Sequence, residues 1–245
     1  MNAARLTWSA DVAVADWIAH RLGPFGGWVG SVVPRGFQAY ARVLHPIDSN
    51  RTWADVCVET GAHAHALMQW NEISRRQDRT GRTDGEDPRE GDLVFPALEL
   101  LCRALQPFTG DQRCWFALWE GYGWINGAVA GLRRDQTHGF GSRERPAQTL
   151  DNPKVVSPNR AYHLFSGELT AALTMGWDTP QSPSLFWPAD RSWCVATEID
   201  FDSTLVGGTR ALIDGVMASA LEAWEVRPDD SLAYDADPFN AFPGN

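Results

Sequence analysis

A chain of 245 residues, 44% hydrophobic and 21% charged, can bury a substantial core without staples, and this balance excludes wholesale disorder. Its net charge of −10 argues against a general binder of nucleic acid or anionic membrane, because both need a basic field. No stretch approaches the roughly 18 to 20 apolar residues of a membrane span, and Asp11, Asp16, His20 and Arg21 interrupt any signal-type apolar region.

In chain order, Ser9 can cap a helix to about Leu22, with Val14, Trp17, Ile18 and Leu22 on one face, stopped by Gly23-Pro24. Phe25 to Pro46 is glycine-rich and reads as turns with a short strand over Ala39–Leu44. A longer helix is expected from Thr52 to Arg75. Residues 74–92 lack large apolar side chains and read as a mobile surface loop. Helix resumes near Pro96, with Leu98, Leu101, Cys102 and Leu105 inward. Cys114–Trp119 is rich in β-favouring residues and predicts a strand.

Residues 131–160 read as a second long loop. A short strand over Ala161–Phe165 and a short helix over Glu168–Thr174 follow. Trp193–Phe201 is the clearest predicted strand. Gly207-Gly208-Thr209 then opens a helix whose apolar stripe runs from Leu212 to Trp224. The fold expected is α+β: N-terminal helices packed on a small mixed or antiparallel sheet, one domain over 1–226. An acidic, proline-containing tail, extended or disordered, occupies 227–245.

Cys57, Cys102, Cys114 and Cys194 are scattered, with no CxxC or Cys/His spacing, so reduced core thiols and a cytoplasmic location are expected. His63 and His65, two apart, cannot form the i, i+4 metal pair of a helix, and no serine sits in a GxSxG elbow. The 12 tryptophans exceed ordinary usage and cluster beside glycine or arginine. Arg35, Trp119, Glu120, Tyr122, Trp124, Trp187, Asp190 and Arg191 form the candidate ligand-binding set, because rings beside charges at strand ends commonly build clefts.

The segment Glu198-Ile199-Asp200-Phe201-Asp202-Ser203-Thr204 resembles the first motif of the haloacid dehalogenase phosphatases. That resemblance would make Asp200 the nucleophile and Asp202 the acid/base, both beside magnesium. Only 41 residues follow Thr204, and the sole lysine, Lys154, precedes the motif, so a strand end with solvated acids is the preferred reading. Strand alternation puts Glu198, Asp200 and Asp202 on one face, a candidate site for a hard cation such as Mg²⁺ or Ca²⁺; no other cofactor is expected.

The blocks Gly23-Pro24-Phe25-Gly26-Gly27-Trp28-Val29-Gly30, Val33-Pro34-Arg35-Gly36-Phe37, Leu118-Trp119-Glu120-Gly121-Tyr122-Gly123-Trp124 and Trp187-Pro188-Ala189-Asp190-Arg191 resemble those of an actinobacterial protein family with no established activity. The resemblance implies no catalytic role. The chain is therefore read as a non-catalytic domain binding a small molecule or a protein through its Trp/Arg-rich loops. The alternatives are a metal-dependent hydrolase using Glu198, Asp200 and Asp202, and an acidic immunity-type or regulatory protein that captures a basic partner.

Overall fold

The computed structural model describes residues 6–47, 51–74, 87–122, 153–158, 160–176 and 179–241. Among these, nine strands form one sheet: β1 (Thr7–Trp8), β2 (Ala39–Leu44), β3 (Cys114–Trp119), β4 (Val155–Ser157), β5 (Arg160–Gly167), β6 (Leu185–Pro188), β7 (Cys194–Ala196), β8 (Ser203–Gly208) and β9 (Ala223–Val226). Their order is β1-β5-β3-β6-β7-β8-β2-β9, with β4 also on β5, and every pairing is antiparallel.

This architecture overturns the expected arrangement of N-terminal helices on a small sheet. The sheet is large, and the N-terminal helices α1 (Asp16–Ala19) and α2 (Val29–Val32) are single turns. Residues 12–15, expected inside a long first helix, form a 3-10 turn before α1. The helix expected over 52–75 is two pieces, α3 (Trp53–Thr60) and α4 (Trp70–Ser74), because Gly61 takes the left-handed conformation at φ 70° and caps α3. Thr52 and Asp55 close its other end as a capping box.

The longest described helix, α5 (Ala97–Thr109), lies where its apolar stripe predicts. α6 (Arg210–Met217), capped by Thr209, ends at Ala218, so Trp224 belongs to β9 instead of a helical stripe. The strand expected over 193–201 stops at Ala196, and residues 197–202 turn the chain back into β8.

Residue alternation sorts the sheet's two faces. On one, Phe116, Phe165, Phe186, Val195 and Val206 pack under α5, α6 and a 3-10 turn over Leu169–Thr174, meeting Leu101, Leu105, Ile213 and Val216. On the other, Tyr40, Leu164, Trp187 and Leu205 pack under Trp17, Ile18, Val29 and Val33 of the N-terminal segment. α3 and α4 close the Leu44 end of β2 with Trp53, Val56, Met68 and Ile73. Each large apolar side chain so buried contributes roughly 1.5–3 kcal/mol against exposure. No helix among the described residues is long and apolar enough to cross a membrane.

The C-terminal segment, expected to be extended or disordered, is packed as far as it is described. Gly30 N donates to Pro228 O at 2.8 Å and Leu232 N to Gly27 O at 2.6 Å, which ties it to α2. Asp237 is buried and accepts from Gln69 N (3.0 Å), Phe239 N (3.0 Å), Asn240 N (2.9 Å) and His65 Nε2 (3.0 Å). Burial pushes its carboxyl up, but those donors outweigh it and hold it below the ordinary range.

Candidate functional site

Residues 87–95 form a strap across the end of the sheet where β2 finishes and β7 turns into β8. This corrects the expectation of a mobile loop over 74–92, of which 75–86 lie outside the described residues. Composition suggested mobility; backbone pairing fixes the strap instead. Gly91 N donates to Phe201 O at 2.9 Å, Tyr122 Oη to Gly91 O at 3.0 Å, and Leu93 N to Ser182 Oγ at 2.9 Å. Gly91 sits at φ 68°, where a Cβ would lie 2.6 Å from Ile199 O. Only glycine allows that approach.

Beneath the strap is His45, fully buried, with Nδ1 2.5 Å from Arg89 O and Nε2 2.9 Å from Thr204 Oγ1. A carbonyl can only accept, so Nδ1 carries the proton and Nε2 accepts from the threonine hydroxyl. Burial, with the Arg42 charge in support, drops the imidazole pKa to about 4. Arg42, 1% exposed, donates to Ser203 Oγ (2.9 Å) and to the carbonyls of Ala66 (3.2 Å) and Met68 (2.7 Å). Its Nη2 reaches Asp202 Oδ1 at 3.3 Å.

Two concavities flank the strap. The first is a cavity of about 310 Å³ between the strap, the start of α5 and residues 172–175 and 180–182. Its walls are apolar, with Leu93, Val94, Phe95, Leu98, Leu173 and Met175. Arg89, Asp92, Gln181 and Ser182 supply its polar groups. Asp92 is buried and accepts from Ser182 N at 2.8 Å, with Arg89 Nη1 3.1 Å away. Burial raises its carboxyl above the ordinary range, against the pull of Ser182 and Arg89. Gln181 Nε2 donates to Gly91 O (3.0 Å) and Tyr122 Oη (3.2 Å), so Tyr122 braces this wall.

The second is a cleft of about 520 Å³ between Trp70, Asp87, Glu90, Asp202 and Tyr234. Trp70 Nε1 donates to Asp87 Oδ1 at 2.7 Å. Burial, then the nearby carboxylates of Asp202, Asp200 and Asp87, raises the Glu90 carboxyl. The lining is acidic and aromatic, a setting that favours cations over anions.

The expected ligand-binding set does not converge. Trp119, Glu120 and Tyr122 lie at the strap end of β3: Trp119 meets Tyr122 edge-on at 5.3 Å, and Glu120 pairs with Lys154. Trp187, Asp190 and Arg191 lie at the other end, since Pro188 pairs with Cys114, five residues from Trp119. Trp187 is buried against Trp17 at 6.2 Å. Asp190 bonds Gln112 Nε2 (2.9 Å) and Ser192 N (3.0 Å). Arg35 packs on Gly23 and Gly30 and pairs with Asp229 at 2.8 Å, and its backbone N donates to Arg21 O at 2.8 Å, on the Trp17 side of the sheet and away from Trp119. Trp124 lies outside the described residues.

The carboxylates proposed for a cation sit on a turn, so strand alternation does not align them. Glu198 holds Arg160 at 2.6 Å, Asp200 is 76% exposed and 3.5 Å from the same guanidinium, and Asp202 holds Arg42. No three His, Cys, Asp or Glu side chains among the described residues are grouped as a metal site. All four cysteines are buried and none forms a disulfide, and burial pushes the thiols of Cys102 and Cys114 up to about 12. They are poor nucleophiles there.

Sequence reasoning missed His45, Arg42, Arg89 and Asp92, because long-range partners give them their settings. It also missed Arg21, whose i, i+4 spacing from Trp17 was a readable signal. Compared with family models, curated proteins and solved structures, the chain matches none.

Proposed function

We propose that this chain is a non-catalytic binding domain whose ligand is a small apolar molecule with an uncharged polar head, seated in the cavity beside the strap. The observation that carries this reading is the lining: apolar walls converging on the Arg89–Asp92 pair. A volume of about 310 Å³ lies at the small end of ligand pockets. The pair is neutral as a unit. An ammonium head would meet the Arg89 guanidinium and a carboxylate head the desolvated Asp92, whereas an amide or alcohol can use both. Ser182 is tied to Leu93 and Asp92, and no histidine lines the cavity, which supports binding over catalysis. Four buried thiols that form no disulfide suit a reducing compartment and support a cytoplasmic setting.

Methionine methyl resonances test the reading, because Met175 lines the cavity while Met68 and Met217 do not. Hexanamide and hexanol are expected to shift Met175 with a dissociation constant of about 1 mM, roughly −0.5 kcal/mol per non-hydrogen atom and well within the ceiling for small ligands. Hexanoate and hexylammonium should bind at least several-fold more weakly. Ala172→Leu, which fills the cavity, should abolish the shift while Met68 and Met217 keep their native positions. No Met175 response to any of the four probes would overturn the proposal; stronger binding of a charged probe would overturn the neutral head.

A further inference from the structure

At the opposite end of the sheet, one indole carries two guanidiniums. Arg21 Cζ lies 5.4 Å from the ring centre of Trp17, and Arg191 Cζ lies 5.9 Å from it. The two cations are therefore no more than about 11 Å apart. Both side chains are exposed, and neither makes an ion pair among the described residues. Asp190, which adjoins Arg191, is engaged by Gln112 and Ser192, and the exposed Asp16, five residues before Arg21, forms no ion pair with it among the described residues.

The platform beneath them is rigid. Trp17 is 8% exposed and packs edge-on against Trp187 at 6.2 Å and Phe37 at 6.3 Å. Phe37 in turn lies over Gly207, where a Cβ would come within 2.5 Å of its ring. Among the described residues Arg191 is the one non-glycine residue at positive φ, 59°. Glycine would fit that turn better, yet the position presents a guanidinium to the same indole as Arg21.

We infer that Arg21 and Arg191 form a phosphate-binding site on the Trp17 face, independent of the cavity at the strap. Two uncompensated cations on a chain of net charge −10 are a local exception to its overall field. The planar fork of arginine binds oxyanions in pairs of hydrogen bonds. A phosphomonoester near −2 balances both charges, whereas a carboxylate balances one. The phosphate is carried by a soluble monoester or by a lipid headgroup, and the chain's acidity favours the former.

The full chain, labelled with ¹⁵N, reads this out through the Trp17 indole N–H, assigned with Trp17→Phe. Phenyl phosphate and inorganic phosphate at pH 7.5 and low salt are expected to shift that signal saturably, and acetate at least tenfold more weakly. Arg21→Gln and Arg191→Gly should each weaken phosphate at least tenfold, the latter without harm to a fold that tolerates glycine at φ 59°. Arg103→Gln, which removes a cation paired with Glu99 on α5, should change nothing. Co-sedimentation with vesicles of phosphatidic acid in phosphatidylcholine distinguishes the carriers: vesicle binding that Arg21→Gln removes assigns a headgroup, and phenyl phosphate binding alone assigns a soluble ester. Neither response, equal binding of acetate, or binding indifferent to both substitutions would overturn the site.

Discussion

At neutral pH both nitrogens of the His45 ring are occupied, one by a carbonyl of the strap and one by a threonine hydroxyl. Protonation would put a charge beside Arg42 in a place that water does not reach. The folded pKa of about 4 lies below the unfolded value of 6.5, so the unfolded chain takes up the proton first. The resulting stabilisation is full above pH 6.5 and is lost as pH falls from 6.5 toward 4. Between pH 7 and pH 4.5 the loss from this residue is about 2–3 kcal/mol. Urea midpoints of the wild type and His45→Gln at those two pH values should show it as a smaller acid loss in the variant. His65, also depressed by burial, acts in the same direction but is present in both proteins and cancels. Equal acid losses would refute the assignment.

Among the elements, the strap depends on one glycine to an unusual degree. Gly91→Ala combines an unfavourable φ with a Cβ driven into the backbone of Ile199, and should cost roughly 1–3 kcal/mol more than the φ penalty alone. Gly61, left-handed at φ 70° and ψ 21° with nothing described within 4 Å of an added Cβ, is the control: Gly61→Ala should cost only about 1–2 kcal/mol. Thermal unfolding of both variants measures the difference, and similar losses would show that the strap gives way easily. The strap also shows why some elements were legible and others were not. α5 could be read because Leu98, Leu101, Cys102 and Leu105 fall on one helical face, and β2 and β3 because their β-favouring runs are bounded by turn residues. β6 and β8 are buried on both faces, which erases the alternation that marks a strand, whereas β7 falls inside the strand expected over 193–201. Residues 87–92 are polar in composition yet fixed by backbone bonds, a signal that composition does not carry. At the site, Arg191 and Trp187 stood out in the sequence, but the surface they share with Trp17 and Arg21 exists only through β-sheet neighbours.

For the molecule as a whole, the C-terminal segment is a working part of the fold. Ending the chain after Val226 strips Leu232 from the core of the N-terminal face and leaves Gln69 N and His65 Nε2 without Asp237. The truncated protein should lose well over the ~1–3 kcal/mol expected of Asn240→Ala, which removes side-chain bonds to His63, His65 and Asp237. Denaturant midpoints rank the two, and an equal or smaller loss on truncation would show that the segment adds little.

The sheet order has a kinetic consequence. β2 is the second described strand in chain order, but both strands that flank it follow much later: Leu44 pairs with Ser203, and Val43 with Ala223. During synthesis β2 therefore waits with two open edges, Ala39, Ala41 and Val43 lacking their later cover. Such non-local pairing makes folding slow and leaves the nascent chain prone to pairing with other chains. Synthesis of β8 and β9, more than any local event, sets when this sheet can close.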